Sequence, residues 1–459
     1  MARPELSDAV VVFGITGDLS FKKIIPALYT MVRHGALRVP VIGVARDHWG
    51  PEQLRDRVRD SVRSAERDVD EESLNQLFEL VRFVSGDYKD PSTFTELKKA
   101  LNSSKRPIFY LAIPPSLFEG VVNNLHDSGC ADNGRLIIEK PFGRDYESAR
   151  ELNRVLGSVF DEEDIFRIDH YLGKEAVLNM LYFRFSNSFL EPVWNRNYVQ
   201  SIEITMAENF GVEGRGAFYE EVGCIRDVIQ NHLLNLIVIL AMEPPAGRID
   251  EALIDEKLKI TKAIRPLQAG DVVRGQFRGY RDEKGVAESS QVETFAALRL
   301  FVNSWRWEGV PFYVRAGKYL PVHATEIMVR FHRPPYAVFQ EDHVNQSNYI
   351  RFRLSPNIAI AMGSRIKKPG DKMQGKQNEL YVSESIVDEM MPYERLIGDA
   401  MEGDPTLFTD KVATEVAWRI VDPVLAQPTE LFFYDKYSWG PSEVESRIRP
   451  PQGWNDPKV

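Results

Sequence analysis

The first third of the chain alternates short apolar runs with helical patterns of apolar and polar residues. The runs have the length of buried strands, and they are AVVVFG (9–14), PVIGVAR (40–46), VRFVSGDY (81–88), PIFYLAIPP (107–115) and RLIIEKPFG (135–143). A charged helix is predicted over 52–65, and a second helical pattern covers 115–127. Apolar strands that alternate with helices indicate a parallel sheet covered on both faces. Residues 1–169 are therefore predicted to form a Rossmann-like, doubly wound α/β domain.

The remainder of the chain changes to an alternation of period two, which is typical of antiparallel strands with one exposed face. The alternating segments are QSIEITMAE (200–208), FAALRLFV (295–302), PFYVRAGKYLP (311–321), EIMVRF (326–331) and IRFRLSPNIAIAM (350–362). Helical patterns cover 222–242 and 409–424. Residues 170–459 are predicted to form a larger α+β domain on a broad, mostly antiparallel sheet. The polar tail after Pro441 is expected to be loosely held.

Composition narrows the class of protein. The 459 residues are 43% hydrophobic and 27% charged, as in folded soluble proteins, and a net charge of −10 disfavours nucleic acid and anionic membranes as partners. Cys130 and Cys224 give neither a disulfide framework nor a zinc pattern, so no metal is expected. The longest apolar run (233–242) is about half of the roughly 20 residues that span a membrane, and no signal-peptide pattern opens the chain. A cytoplasmic protein is expected.

A glycine-rich turn follows the first predicted strand. VVVFGITGDLS (10–20) places Gly14 and Gly17 before the first helix, where the chain must turn sharply and a helix N-terminus can face a pyrophosphate. Thr16 stands where the dinucleotide fingerprint usually has its second glycine. The segment predicts a dinucleotide site. The alternative is an ordinary strand–helix turn that uses glycines for its geometry.

The residues at the end of the second strand, Arg46 and Asp47, bear on the choice of cofactor. NADP enzymes place an arginine near the 2′-phosphate, whereas NAD enzymes place an acid on the ribose hydroxyls. Arg46 comes first and favours NADP, and Asp47 keeps NAD as the weaker alternative. Arg46 also has a simpler interpretation as a solvated loop charge.

The segment FRIDHYLGKE (166–175) concentrates basic, acidic and phenolic side chains within ten residues. Several charge-assisted donors from one short segment suit a phosphate dianion. The alternative is a salt-bridged junction between domains.

Taken together, these motifs resemble the glucose-6-phosphate dehydrogenase family. The resemblance rests on GITGDL (14–19), EKPFG (139–143), RIDHYLGKE (167–175), GRGAFYEE (214–221), IRDVIQNHLLN (225–235), VPFYVRAGK (310–318), TEVAWRIVDPVL (414–425) and YSWGP (437–441). It covers nearly the whole chain in order. It implies a cytoplasmic enzyme that oxidises glucose 6-phosphate at C1 with NADP, as a homodimer or homotetramer.

The resemblance also implies roles for individual residues. His232 matches the catalytic base, Asp169 its orienting acid, and Asp227 a contact to sugar hydroxyls. In an α-helix, five positions correspond to about 140° of rotation, which agrees with Asp227 not being the orienting group. Without the resemblance, His232 beside Leu233 and Leu234 would be interpreted as a core histidine.

The remaining implied contacts fall into two groups. The substrate contacts are Lys140, His170, Tyr171, Lys174, Glu208, Asp227, Lys318 and His323. The cofactor contacts are Gly14, Thr16, Gly17, Asp18, Leu19, Lys23, Arg46, Asp87, Tyr88, Tyr110, Pro114 and Lys140. His323 and Ser355 depart from the family pattern, which usually has an arginine and a glutamine there. Another sugar 6-phosphate, NAD use and a non-catalytic NADPH-binding scaffold therefore stay as alternatives.

Overall fold

The structure is a computed structural model that describes residues 5–247, 249–336, 338–339, 347–370, 372–383 and 390–458. Within them the chain forms two compact units. The first unit comprises Met1–Glu175, Pro245–Asp255 and Glu389–Glu415, and the second comprises Ala176–Pro244, Glu256–Asp388 and Val416–Val459. The predicted boundary between residues 169 and 170 stays a prediction.

The strands are numbered along the chain. They are β1 (Ala9–Phe13), β2 (Val41–Ala45), β3 (Val81–Ser85), β4 (Pro107–Leu111), β5 (Arg135–Glu139), β6 (Ile165–Ile168), β7 (Val199–Ala207), β8 (Val272–Phe277), β9 (Phe295–Phe301), β10 (Pro311–Gly317), β11 (Ala324–Phe331), β12 (Tyr349–Ser355), β13 (Ala359–Lys367), β14 (Gly375–Ser383) and β15 (Leu431–Tyr434).

The α-helices are numbered in the same way. They are α1 (Ile25–Arg33), α2 (Pro51–Ala65), α3 (Glu71–Leu80), α4 (Pro91–Leu101), α5 (Phe118–Asp127), α6 (Tyr146–Leu156), α7 (Glu175–Ser186), α8 (Gly216–Cys224), α9 (Leu234–Ala241), α10 (Ile249–Ala263), α11 (Pro392–Glu402), α12 (Lys411–Ala426) and α13 (Glu443–Arg447). Two π-helical stretches, Ser20–Ile24 and Ile225–Leu233, lead directly into α1 and α9.

The first unit is built on a six-stranded parallel sheet in the order β3-β2-β1-β4-β5-β6. The predicted Rossmann-like fold is confirmed. In such sheets the crevice at the carboxyl ends of the strands where the order reverses, here between β1 and β4, is where ligands bind. The sixth strand was not predicted, because Arg167 interrupts its apolar pattern. In the structure the guanidinium of Arg167 is buried and donates hydrogen bonds to the side chains of Glu162 (2.6 Å) and Asn153 (2.9 Å).

The second unit is built on a nine-stranded mixed sheet in the order β14-β13-β12-β11-β7-β10-β9-β8-β15. The broad, mostly antiparallel sheet is confirmed; β7–β10 and β8–β15 are its parallel pairs. The expected exposed face of β7 is wrong, because Glu203 is 2% exposed. Its carboxylate accepts from Arg330 (2.5 Å) and from the backbone N–H of Asn455 (2.8 Å).

The C-terminal tail packs on this sheet, so the expectation that it is loosely held is also wrong. The guanidinium of Arg315 lies over the rings of Trp439 (4.4 Å) and Trp454 (4.7 Å). It also bonds Asp456 at 2.7 Å. The contacts with Trp454 and Asp456 hold the tail against β10.

The helical run Gly216–Ala241 has the length and apolar composition of a membrane-spanning helix, and most of it is buried inside the protein. Burial of that kind is typical of a core helix. The run is interrupted at Gly223, whose backbone leaves the helical region (φ 66°, ψ 174°). The predicted helix over 222–242 coincides with this run up to Ala241, and Met242 is already extended.

Candidate active site

The glycine-rich turn adopts the geometry that its sequence predicts. Gly14 has φ +83°, and a Cβ there would lie 2.3 Å from the carbonyl oxygen of Ala112. The hydroxyl of Ser20 donates to the carbonyl of Gly14 at 2.8 Å, and the N–H of Gly17 donates to the same carbonyl at 2.9 Å. The turn is thus tied to the start of a helical run at the carboxyl end of β1. A pyrophosphate fits this position, since a helix N-terminus carries a partial positive charge.

Thr16 and Asp47 meet at the mouth of this turn. The hydroxyl of Thr16 donates to a carboxylate oxygen of Asp47 at 2.7 Å. The guanidinium of Arg57 donates to the carbonyl of Thr16 at 2.9 Å and lies over the ring of Phe21 at 4.2 Å. Arg57 was not singled out from the sequence, because a charged helix carries many such arginines.

Arg46 lies beside the residues that end β3. Its guanidinium is 5.8 Å from the ring of Tyr88, and its Nε is 4.0 Å from a carboxylate oxygen of Asp87. Tyr88 is buried and donates to the carbonyl of Val44 at 3.2 Å; burial raises the pKa of its phenol. An exposed cation over a buried aromatic ring is a surface on which an adenosine phosphate can bind.

Four other predicted cofactor residues lie on or near the same turns. Asp18 is exposed and bonds Lys22 at 3.0 Å, Lys23 is exposed, and Leu19 packs partly against the core. Pro114 is exposed and precedes the short turn Pro115–Leu117. These residues form the surface of the predicted site, and their contacts with a cofactor stay predictions.

Tyr110 and Glu139 form a buried pair on β4 and β5. The tyrosine hydroxyl donates to the carboxylate at 2.6 Å, and burial, followed by the negative charge of Glu139, raises the pKa of Tyr110 well above its usual value. Lys140 follows Glu139 directly and is joined to Pro141 by a cis peptide bond. Glu139 was not predicted as a site residue. The available signal is a carboxyl at the end of the apolar run RLIIE.

The segment after β6 folds into a compact turn. The carboxylate of Asp169 accepts the N–H of Tyr171 at 3.0 Å. The Lys174 ammonium lies 3.5 Å from the centre of the Tyr171 ring. The His170 and Tyr171 rings meet edge to face at 5.3 Å. Within the first unit, the structure therefore brings together the three residues predicted to hold the phosphate.

Helix α11 covers this turn from a distant part of the chain. A Cβ at Gly173 would lie 2.9 Å from the carbonyl oxygen of Pro392. The ring of Tyr393 stacks on His170 with centroids 6.3 Å apart and planes 14° apart, and the Tyr393 hydroxyl donates to Glu139. No local sequence pattern links α11 to this site, so Tyr393 was missed.

In the second unit, strand pairing places two predicted sugar contacts side by side. β7 and β10 run parallel with Ala207 opposite Gly317. Glu208 and Lys318 directly follow the ends of these two strands, and their side chains form an ion pair at 2.5 Å. Both side chains are largely buried, at 23% and 11% exposure. Because both side chains are largely buried, water screens the attraction between the two charges only a little.

Asp227 and His232 lie on the π-helical stretch Ile225–Leu233. The rotation of about 140° expected for an α-helix is therefore wrong. In a π-helix residue i bonds residue i+5, so residues five apart lie about one turn apart and face the same side. His232 is 2% exposed. The helical geometry therefore gives no reason to assign Asp227 and His232 to different faces. The roles of His232 as base and of Asp227 as a sugar contact stay predictions.

A cavity of about 180 Å³ in the second unit is lined in part by Asp227, Lys318, Tyr219 and Phe210. Burial, and then neighbouring negative groups that include Asp227 and Glu208, raise the pKa of Tyr219 well above its usual value. His323 is exposed, with its ring 5.6 Å from that of Phe210. The cavity offers both charged and phenolic groups to a polyhydroxy ligand.

Ser355 has a structural partner. Its hydroxyl accepts the N–H of Thr325 at 3.1 Å, where the register of β11 and β12 shifts. Ser355 thus satisfies a backbone donor of the sheet.

Two family models together match nearly the whole chain. The NAD binding domain of glucose-6-phosphate dehydrogenase matches residues 11–179, and the C-terminal domain of glucose-6-phosphate dehydrogenase matches residues 181–454. This chain belongs to the glucose-6-phosphate dehydrogenase family. The NAD-binding match falls on the unit that carries the Gly14 turn.

Individual relatives agree with the family models. Glucose-6-phosphate 1-dehydrogenase 1 of Mycobacterium tuberculosis is 39% identical over 452 residues, which are 98% of this chain and 97% of that protein. The crystal structure of glucose-6-phosphate 1-dehydrogenase from Mycobacterium avium is similar with a TM-score of 0.93 at 39% identity, covering 99% of this chain and 100% of the other. A glucose-6-phosphate dehydrogenase in complex with its substrate glucose-6-phosphate is similar with a TM-score of 0.91 at 34% identity, over 99% and 100% of the two chains.

Proposed function

We propose that this protein is an NADP-dependent glucose-6-phosphate 1-dehydrogenase. It oxidises D-glucose 6-phosphate at C1 to 6-phospho-D-glucono-1,5-lactone, the first step of the oxidative pentose phosphate pathway. The observation that carries the proposal is the end-to-end similarity to a dehydrogenase in complex with glucose-6-phosphate. The charged groups described above supply a chemistry that suits this substrate.

The reaction requires a base and a hydride acceptor. His232 takes the proton from the C1 hydroxyl, the C1–H bond breaks with both electrons, and a C1=O bond forms. Asp169 orients the imidazole of His232 by accepting its second ring N–H, and a histidine base in such a pair is typical of proton abstraction. NADP supplies the hydride acceptor when it is bound.

The substrate's phosphate and hydroxyl groups are held by different residues. His170, Tyr171 and Lys174 hold the phosphate, since two nitrogen donors and a phenol converge there from one turn. Glu208, Asp227, Lys318 and His323 contact the sugar hydroxyls. Lys140 lies between the sugar and the cofactor. Fixing both reactants in this way converts a bimolecular step into an intramolecular one.

The cofactor would be held by the first unit. The Gly14 turn and the helix N-terminus suit the pyrophosphate, and the exposed Arg46 suits the 2′-phosphate. Other contacts come from Thr16, Gly17, Asp18, Leu19, Lys23, Asp87, Tyr88, Tyr110 and Pro114. The hydrogen bond from Thr16 to Asp47 favours NAD as a second cofactor, because it holds an acid where ribose hydroxyls bind.

Residues 1–169 are proposed as the NADP-binding domain, and residues 170–459 as the substrate-binding and dimerisation domain of a homodimer or homotetramer. A cytoplasmic location agrees with two buried, unbridged cysteines.

Initial rates on glucose, galactose and glucosamine 6-phosphates with NADP and with NAD test the proposal. The fastest turnover is expected with glucose 6-phosphate and NADP, and a faster rate on another sugar phosphate would overturn the substrate assignment.

A further inference from the structure

Helix α2 places one arginine against the glycine-rich turn. The Arg57 guanidinium donates to the carbonyl of Thr16 at 2.9 Å and lies 4.2 Å from the centre of the Phe21 ring. Phe21 belongs to the π-helical stretch that follows the turn. Arg57 is half-buried, whereas Arg55 on the same helix is exposed. A hydrogen bond and a ring contact therefore hold this guanidinium at the turn.

The positive charge of Arg57 is not offset by an acid in the part of the chain that the structure describes. Other arginines of α2 are paired there: Arg59 bonds Asp56 at 2.5 Å, and Arg63 bonds Glu71 at 3.1 Å. The Nε of Arg57 is buried and has no hydrogen-bond partner among the described residues. A guanidinium presents several N–H donors in one planar fork, and Thr16 accepts from only one side of it. A half-buried cation with donors to spare is suited to an anionic ligand.

Thr16 brings this cation close to the acid that follows β2. Its hydroxyl donates to Asp47 while its carbonyl accepts from Arg57, so both charged groups lie within hydrogen-bond distance of one residue. In Rossmann-like domains an acid after the second strand contacts the ribose 2′-hydroxyl of NAD, and a nearby arginine accommodates the 2′-phosphate of NADP. Arg57 is near enough to Asp47 to act as such an arginine.

Arg46, the arginine predicted to contact the 2′-phosphate, is held less firmly. Its side chain is 56% exposed, and a carboxylate oxygen of Asp87 lies 4.0 Å from its Nε. Water screens an exposed charge, and ordering an exposed side chain on a ligand costs free energy. Arg57 is already fixed by two contacts and is unpaired among the described residues. Its charge is therefore more fully available to a phosphate.

We infer that Arg57 binds the 2′-phosphate of NADP and, together with Arg46, determines the preference for NADP over NAD. One side of its fork bonds the carbonyl of Thr16, and the remaining N–H groups donate to the phosphate. Thr16 thus fixes both the arginine and Asp47 at the ribose. The inference rests on the proposed function, in which NADP is the cofactor, and it adds a residue to the set named there.

Fluorescence titration with NADPH and with NADH tests the inference without turnover. Arg57→Met keeps the aliphatic stem over Phe21 and removes the charge and the N–H donors. We expect the dissociation constant for NADPH to rise about tenfold or more, since hydrogen bonds to charged groups have effects of that size. The constant for NADH is expected to change less than about twofold. Equal weakening of the two cofactors, as a purely structural role would give, or unchanged NADPH binding would overturn the inference.

Two further variants separate this role from loss of charge or of folding. Arg59→Met is the matched control, because it removes an arginine of the same helix that also lies over a ring, that of Phe78 at 5.4 Å; it is expected to keep both dissociation constants. If Arg57→Met does not fold, Arg57→Lys keeps the charge and the stem but loses the fork. We expect it to weaken NADPH binding several-fold and to leave NADH binding unchanged. Wild-type NADPH affinity in Arg57→Lys would contradict the inference.

The wild-type protein keeps the two proposals distinguishable. If it binds NADPH but does not oxidise glucose 6-phosphate, the proposed function fails, and the titrations still decide the role of Arg57. If it does not bind NADPH, the inference itself is overturned. Where turnover is observed, the ratio of kcat/KM for NADP to that for NAD is expected to fall about tenfold in Arg57→Met. An unchanged ratio would contradict the inference.

Discussion

The hydroxyl of Thr16 donates a hydrogen bond of 2.7 Å to the carboxylate of Asp47. Asp47 directly follows Arg46 in the sequence. Arg46 also lies 4.0 Å from the carboxylate of Asp87. Asp87 therefore offsets part of the positive charge of Arg46 that a 2′-phosphate would need. We expect NADP to be the preferred cofactor and NAD the weaker alternative.

Removing the charge of Asp47 is expected to favour NADP. Asp47→Asn can still accept the Thr16 hydroxyl, so the loop keeps its hydrogen bond while a repulsion against the 2′-phosphate disappears. We expect the ratio of kcat/KM for NADP to that for NAD to rise about tenfold, which corresponds to about 1.4 kcal/mol. Asp60→Asn, at an exposed position of α2, is the control. An unchanged ratio for Asp47→Asn would show that Asp47 does not affect cofactor choice.

Gly14 is expected to be intolerant of any side chain. A Cβ there would lie 2.3 Å from the carbonyl oxygen of Ala112, in a backbone conformation with φ +83°. Gly14→Ala should lose about 1–3 kcal/mol of stability and weaken NADP binding, as measured by chemical denaturation and fluorescence titration. Gly120→Ala on α5 is the matched control, because a Cβ there meets nothing within 4 Å. Wild-type NADP affinity in Gly14→Ala would contradict a role for the turn in binding the cofactor.

Asp399 on α11 is expected to make stability depend on pH. Burial, and then the negative charge of Asp404, raise the pKa of Asp399 to about 7. A raised pKa in the folded state means that the group's contribution to stability is complete below the unfolded pKa and is lost as pH rises through about 7. Asp399→Asn should therefore be more stable than the wild type at pH 8, by at most ~4 kcal/mol, and similar to it near pH 3. Urea denaturation at both pH values measures the difference. An equal difference at the two pH values would contradict this prediction.

Replacing the proposed base should separate catalysis from binding. His232→Ala removes the proton acceptor and is expected to lower kcat by about 10²–10⁴-fold, while the dissociation constant for glucose 6-phosphate changes little. Stopped-flow rates and isothermal titration measure the two quantities. Near-normal turnover in this variant would refute the assignment of His232.

Much of the first unit could be predicted from local patterns. β1 to β5 are apolar runs, and the Gly14 turn needs glycine for a local steric reason, so both appear in a few adjacent residues. β6 escaped prediction because Arg167 is buried on partners from other elements. The exposed face expected for β7 failed for a similar reason, since Arg330 pairs with the Glu203 carboxylate and the backbone N–H of the distant Asn455 donates to it. These compensations arise from tertiary packing that no local window contains.

The candidate site divides in the same way. DHYLGK (169–174) and Glu208 with Lys318 could be named from motifs, and in the structure members of each set lie together. Tyr393 could not be named, because more than 200 residues separate it from His170. The relation of Asp227 to His232 was predicted with an α-helical rotation, and the π-helical stretch changed it. The hydrophobic periodicities that predict α-helices and strands do not mark a π-helix.

Isotope transfer tests the central claim most directly. Glucose 6-phosphate that carries deuterium at C1 would be incubated with the wild-type protein and NADP, and the reduced cofactor analysed by mass spectrometry. The proposed function predicts a reduced nicotinamide heavier by one mass unit, and an unlabelled product when the deuterium is at C2. Unlabelled reduced cofactor from the C1-labelled sugar, or no reduced cofactor, would contradict hydride transfer from C1.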